Sequence, residues 1–302
     1  MKVVELSGGV GGARMARGLA ALEHVDLTVV VNVGDDLPTH GLYVAPDLDT
    51  VAYTLAGMEG PHGWGRDGDT FVTNNELARF GLDIHFQLGD LDLALKIFRT
   101  HRINGGSTLS EVTDSIRSSL GIATTILPVT DDPVRTRVTT TEDLTLTFQE
   151  YFVDRRHRDR VKQLEFDGAD VAHPAPGVLE AIESADVLII GPSNPPLSIW
   201  PIIAVGGVEQ AVRGHPRVIA VSPLIGGKAL RGPADLVLAD LGLGSGTSGV
   251  LAAYRELIDV LVVDTSDQAD AGEVGGVTIV ALDTHIAQRL QAERLARAIL
   301  SL

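Results

Sequence analysis

The 302-residue chain has no cysteine. That excludes a thiol nucleophile, a disulfide framework and a cysteine-bound zinc, and leads us to expect a cytoplasmic protein. Basic residues are scarce: 24 Lys and Arg stand against 40 Asp and Glu, a formal net charge of −16. A nucleic-acid binder carries a basic footprint, and this chain does the opposite. Small anionic substrates stay open, because backbone amides and a metal hold phosphates well in an acidic protein. Most of the acidic excess is accounted for by surface solubility. No apolar run approaches the roughly 20 residues that span a bilayer. "MKVVELSGG" reaches glycines too early for a signal peptide. The nine histidines show no H-x-x-x-H or comparable ligand spacing, and no G-x-S-x-G elbow appears.

What is present is a globular composition, 44% hydrophobic. "KVVELS" reads as a buried strand and "GGVGGARMARGLAAL" as a glycine turn opening a helix. "LTVVVNVG", "DVLIIGPSNP", "RVIAVSPLIGG", "DVLVVDTS" and "VTIVAL" read as further strands. Helical spacing recurs between them, in "DTVAYTLAGM", "PGVLEAIESA", "GGVEQAVRG", "PADLVLADLG" and the last twenty residues. The alternation predicts an α/β fold with a doubly wound, mainly parallel sheet. Residues 67–122 are helix-like and 124–166 alternate as antiparallel strands do. We therefore expect a core of residues 1–66 and 167–302 with an α+β insertion over 67–166. Ligands of such sheets bind beyond the strands' carboxyl ends, where "SGGVGG", "NVGDD", "GPSNP" and "SPLIGG" should converge.

Four segments carry candidate chemistry. The glycine loop Ser7, Gly8, Gly9, Gly11 and Gly12 sits between strand and helix, where free N–H groups and a helix dipole suit an anion. It is neither of two common fingerprints: Arg14 stands where G-x-G-x-x-G needs its last glycine, and no Gly-Lys-Ser/Thr follows. A tight turn without a ligand also accounts for it. Asp35, Asp36, Asp47 and Asp49 place four carboxylates between positions 35 and 49. They suit a hard cation that bridges to phosphates, although helix capping explains one of them. "GPSNPPLSI" offers Ser193, Asn194 and Ser198 to a nucleotide, or forms a plain strand-to-helix turn. "GWG" puts Trp64 beside Gly65 as a stacking platform or a core anchor.

Taken in order, "LSGGVGGARMARGL", "VVVNVGDDLPTHGLYVAPDLDTVAYTLAG", "GWG", "TDDPVRTRV", "FQEYFV", "GPSNPPLSI" and "VSPLIGGKALRGPAD" resemble the 2-phospho-L-lactate transferase family of deazaflavin coenzyme biosynthesis. Its bacterial members are called phosphoenolpyruvate transferases. The resemblance runs from residue 1 to about 240, and more loosely beyond. It implies a Rossmann-like fold, Mg2+, commonly a homodimer, and transfer of a phosphorylated three-carbon acid from a guanosine diphosphate ester to the deazaflavin Fo. The products are GMP and the core of coenzyme F-420. It further implies Asp47 and Asp49 as the metal and acceptor-side acids, supported by Asp35 and Asp36. The glycine loop and "PSNP" then hold the guanosine nucleotide (GDP moiety), and Trp64 stacks on the acceptor. The chain departs from the family pattern at "LGDLDLALK", with Leu91 for an arginine and Lys96 for a histidine; Lys96 or Arg99 compensates. Two alternatives remain open. One is a nucleotide-sugar-binding regulatory protein of the same superfamily, and "PDLDT" speaks against it. The other is an NAD(P)-dependent oxidoreductase, which would need the glycine that Arg14 replaces.

Overall fold

The computed structural model describes residues 1–84 and 87–302. Its centre is an eight-stranded sheet. The strands are β1 (Lys2–Ser7), β2 (Asp26–Val31), β3 (Thr125–Pro128), β4 (Val187–Ile190), β5 (Val218–Val221), β6 (Val260–Asp264), β7 (Gly272–Val274) and β8 (Val277–Leu282). Their spatial order is β7-β8-β6-β5-β4-β1-β2-β3. Every pairing is parallel except that of the edge strand β7 with β8. β1 sits between β2 and β4, with Val3 opposite both Leu27 and Val187.

The apolar runs seen in the sequence follow from burial on both faces. All four residues of β4 and of β5 are buried, as are five of the six in β1. Helix α1 (Gly9–Ala20) turns Met15, Ala16 and Leu19 into this core. It packs closely on the C-terminal helix Arg289–Leu300: a Cβ on Gly18 would fall inside the backbone of Ala292.

The chain leaves β1 in one direction, through β2 to β3, and returns to build β4, β5 and β6 on the other side. The reversal lies between β1 and β4. Crevices at such switch points receive ligands, and the two segments that leave these strands are the glycine loop and "GPSNP".

Helix α2 (Pro46–Leu55) follows β2. Helices α3 (Val72–Arg79), α4 (Asp90–Asn104) and α5 (Leu109–Ser119) lie beyond it. A three-stranded antiparallel sheet pairs Arg135–Thr140 with both Thr145–Thr147 and Val161–Asp167. β3 falls inside the span expected as insertion, yet it joins the core sheet beside β2, with Val30 opposite Leu127. The antiparallel sheet thus begins after β3. No helix among the described residues is long and apolar enough to cross a membrane.

Candidate functional site

The glycine loop is built by close approach. Gly8 is extended and a Cβ there would come 2.7 Å from Cβ of Ser198 and 2.8 Å from Oδ2 of Asp47. A Cβ on Gly11 would strike the Pro192 carbonyl, and one on Gly12 the hydroxyl of Ser7 and that of Ser193 at 2.8 Å. The loop therefore docks directly on "GPSN" and on α2. At Gly11 the bare Cα makes room for backbone of this chain. Gly9 is different. It has φ +65°, a conformation that favours glycine, and open space where a Cβ would be. Its N–H donates to Oδ1 of Asp47 at 2.8 Å.

Ser193 staples the two loops, accepting from the Gly8 N–H (3.1 Å) and donating to the Gly8 carbonyl (2.7 Å). Asn194 accepts from the Leu197 N–H and caps the turn Pro195–Ile199. Ser193 thus ties its loop to the glycine loop, and Asn194 serves the turn it sits in. Ser7 is fully buried beneath the loop, its hydroxyl without a partner. Ser198 lies against Gly8, as does Asp47.

All four aspartates of the acidic stretch are buried, at 2–6% exposure, and their environments diverge. Asp47 accepts from Gly9 at Oδ1 and from Asn32 Nδ2 at Oδ2 (2.9 Å). Asn32 in turn accepts from the Gly34 N–H. Burial pushes the Asp47 carboxyl up to about 6 against those hydrogen bonds. Burial, and next the charge of Asp47, hold Asp35 well above the ordinary carboxylate range. Asp36 accepts from the Tyr43 hydroxyl at 2.8 Å. Its carboxyl is raised by burial to about 8, with Tyr43 and Arg135 opposing. One oxygen each of Asp35 and Asp36 is buried without a hydrogen-bond partner.

Asp49 stands apart. Two residues along the first turn of α2 from Asp47, it points to α4 instead. Arg99 donates to both its oxygens, through Nη1 to Oδ2 at 3.2 Å and through Nη2 to Oδ1. Lys96 Nζ lies 2.7 Å from Oδ2. Burial pushes Asp49 up, but Arg99 and Lys96 outweigh it and hold the carboxyl below its ordinary value. The same ammonium meets Oδ1 of Asp92, which also accepts from the Tyr53 hydroxyl at 2.7 Å. Residues spaced i, i+4 on α2 (Asp49, Tyr53) thus interlock with residues spaced i, i+4, i+7 on α4 (Asp92, Lys96, Arg99), as helical periodicity requires. Asp47 and Asp49, expected to act as a pair, answer to different partners.

Carboxylates at the base of the intervening segment set α4 in place. Asp69 accepts from the Leu91 and Asp92 N–H groups, at 2.8 and 3.0 Å. Asp90 accepts from the Val72 and Thr73 N–H groups at the start of α3, at 3.0 and 2.9 Å. Helix α4 is inverted relative to an ordinary surface helix: Asp92, Lys96 and Arg99 are buried, while Leu91, Ile97 and Phe98 are exposed.

Trp64 is 58% exposed, which removes the core-anchor alternative. Its ring lies 5.9 Å from the Arg231 guanidinium and 5.9 Å from the His62 ring, and Arg231 donates to the His62 carbonyl. Neighbouring Gly63 abuts Val10 and Arg14 of α1, so the "GWG" loop flanks the glycine loop. Gly65, at φ +67°, has open space beside it. Arg14 and Arg17 are both committed to Glu59.

Sequence reading missed Asn32, Tyr43, Tyr53 and Asp92. Asn32 lay within the quoted "NVGDD", at the carboxyl end of a core strand, and that position was its signal. It also missed a cluster of Asp264, Asp283 and His285 at the ends of β6 and β8. Asp264 there is already bonded to Ser266 and Thr284.

The family described as 2-phospho-L-lactate transferase CofD matches residues 3–300. The chain is 44% identical over 283 residues to a phosphoenolpyruvate transferase of Streptomyces griseus, covering 91% of this chain and 89% of that one. It is 40% identical over 305 residues to a 2-phospho-L-lactate transferase of Methanopyrus kandleri, covering 99% and 97%. Among solved structures, it is similar to a upf0052 family member from Bacillus halodurans, with a TM-score of 0.64 at 16% identity over 99% of this chain and 100% of that one. That likeness concerns the fold alone.

Proposed function

The chain belongs to the 2-phospho-L-lactate transferase CofD family, and from that premise we propose the following reaction. The donor is a guanosine diphosphate ester of phospholactate or phosphoenolpyruvate, and the acceptor is the ribityl hydroxyl of the deazaflavin Fo. The hydroxyl oxygen attacks the phosphorus that carries the three-carbon acid. The bond from that phosphorus to the bridging oxygen breaks, GMP leaves with that oxygen, and the alcohol proton is released. Both kinds of relative match this chain at similar identity, so either acid remains a candidate donor.

The observation that carries this reading is the crevice between β1 and β4, where Gly8, Ser198 and Asp47 meet in close contact. Phosphoryl transfer needs positioning and charge neutralisation more than a covalent nucleophile, and a chain without cysteine loses nothing by it. The buried acids fit a divalent cation at Asp35 and Asp47. The charge of Asp47 raises the proton affinity of Asp35, and one Asp35 oxygen is unpartnered. Asp49 does not fit as a ligand, since its charge is already met by two cations, Arg99 and Lys96, whereas the donors to Asp47 are neutral. Mg2+ held by Asp35 and Asp47 would supply positive charge to the diphosphate oxygens. Asn32 and the Gly9 N–H orient Asp47. Gly9, with open space beside it, lets the donor approach the backbone. Trp64 offers its exposed face to the flat tricycle of Fo. A cytoplasmic homodimer remains part of this reading.

The test is mass spectrometry after incubation with Fo, Mg2+ and each candidate donor in turn. The expected result is one new species, Fo plus the phosphorylated acid, with stoichiometric GMP. Asp47→Asn should cut its formation at least ~100-fold, the scale of lost electrostatic stabilisation. No adduct from any donor, with GDP and Fo both failing to bind, refutes the reading.

A further inference from the structure

We propose that the ammonium of Lys96 is a resident cation. It holds the place of a second divalent ion between Asp49 and Asp92, and so confines the metal to Asp35 and Asp47. Lys96 is then a positioning residue for the site. The inference rests on the reading above only in its assignment of the first ion.

Four observations converge. The Lys96 side chain is 3% exposed, so its charge is committed inside the protein. Its Nζ touches carboxylates from two different helices, Asp49 of α2 and Asp92 of α4. The Tyr53 hydroxyl donates to the same Asp92 oxygen, and the Tyr53 ring centre lies 5.7 Å from the ammonium. Around that nitrogen stand carboxylate oxygens and an aromatic face; the face suits an ammonium, and the carboxylate oxygens are also what a hard divalent ion takes. Lastly, Arg99 donates to both oxygens of Asp49.

Charge separates the two halves of the acidic cluster. Asp49 and Asp92 face Lys96 and Arg99, two acids against two bases, so that half is neutral without a metal. Among the described residues, Asp35, Asp36 and Asp47 have no buried ion pair, and Arg135 and Arg99 act only on Asp36 and from a distance. Within the cluster, the carboxylates that lack a cationic partner lie on their side alone. An ammonium is a compact point charge with three donors and no geometric demand. It can neutralise two oxygens but offers no open coordination position to a substrate. Replacing a divalent ion by Lys96 therefore keeps Asp49 in place while removing it from the chemistry.

The test counts ions with Mn2+ alone as the probe, by electron paramagnetic resonance titration of the full chain near neutral pH. Lys96→Met removes the charge and leaves Asp49 with Arg99 and Asp92 with the Tyr53 hydroxyl. It should bind one Mn2+ more per chain than the wild type. Lys96→Arg keeps the charge and should show the wild-type count. The double variant Lys96→Met/Asp92→Asn should lose the added ion. If Lys96→Met does not fold, Lys96→Gln, which keeps a donor toward one carboxylate, is read in the same way. A folded Lys96→Met or Lys96→Gln with the wild-type count overturns the proposal. A wild type that binds no Mn2+ refutes the assignment to Asp35 and Asp47. The difference of one ion between wild type and variant still decides the role of Lys96.

Discussion

Arg99→Met is the sharpest probe of how the insertion is joined to the core. Arg99 is 1% exposed and donates to both oxygens of Asp49, fifty positions earlier in the chain. Removing one partner of a buried ion pair costs about 3–5 kcal/mol, because the other charge stays behind without compensation. Two features place this case at the low end. Lys96 remains 2.7 Å from Asp49, and methionine fills much of the volume of the arginine stem. We therefore expect a loss of about 3 kcal/mol. At roughly 2–4 °C per kcal/mol for chains of this order of size, the melting temperature should fall by roughly 6–12 °C. Urea titration should show a lower midpoint at an unchanged slope. Asp49→Leu should also destabilise, since it strands Arg99 and leaves Lys96 with Asp92 alone. The double variant should be more stable than the sum of the single losses by at least about 1 kcal/mol, as expected for residues in direct contact. An Arg99→Met chain within about 0.5 kcal/mol of wild type, the range of an ordinary surface substitution, would show that the pair does not hold α2 to α4.

Three further outcomes follow from the site. Asp36 and Asp47 are held above the ordinary 3.8, at about 8 and about 6. Between about pH 4 and 8 the folded metal-free chain retains protons the unfolded chain has lost, so its stability should fall as pH rises, by at most about 1.4 kcal/mol per unit for each group. Asp36→Asn should accordingly raise the melting temperature more at pH 8.5 than at pH 5; an equal effect at both refutes the assignment. Gly11→Ala should lower stability by about 1–3 kcal/mol, the cost of overpacking, because its Cβ meets the Pro192 carbonyl; a melting curve like that of wild type would return Gly11 to the ligand. Trp64→Ala should weaken Fo binding several-fold, read by deazaflavin fluorescence, and leave both GDP affinity and melting temperature unchanged; equal loss of both ligands would remove Trp64 from the acceptor's side.

Much of the core was legible because a parallel sheet buried on both faces writes itself as short apolar runs. The loops after "KVVELS" and "DVLII" could be placed together because a doubly wound sheet reverses direction somewhere, and ligands gather there. The boundary of the insertion was harder. β3 is only four residues long, and "TILP" carries no periodicity that separates a core strand from an antiparallel one. The division of labour among the aspartates was not legible either. Asp47 and Asp49 are two apart in the sequence and share a helix turn. What distinguishes them, Asn32 and Gly9 against Lys96 and Arg99, arrives from elsewhere in the chain. Helix α4 misleads in a third way. Amphipathic reading turns the apolar stripe inward, and here the buried face is charged because it borders the acidic cluster.

The reciprocal capping by Asp69 and Asp90 has a consequence for how this protein can vary. Each carboxylate closes the start of the helix beyond the other, Asp69 on α4 and Asp90 on α3, so the chain between them leaves and re-enters through a single clasp. Whatever is threaded between positions 70 and 89, the register of α4 is set at the clasp. Doubling a flexible loop costs only about 0.6 kcal/mol in closure entropy. The excursion can therefore lengthen, shorten or be exchanged between relatives while Lys96 and Arg99 stay opposite Asp49. It is a natural splice point, where new surface can be grafted onto the enzyme with the acidic cluster left untouched.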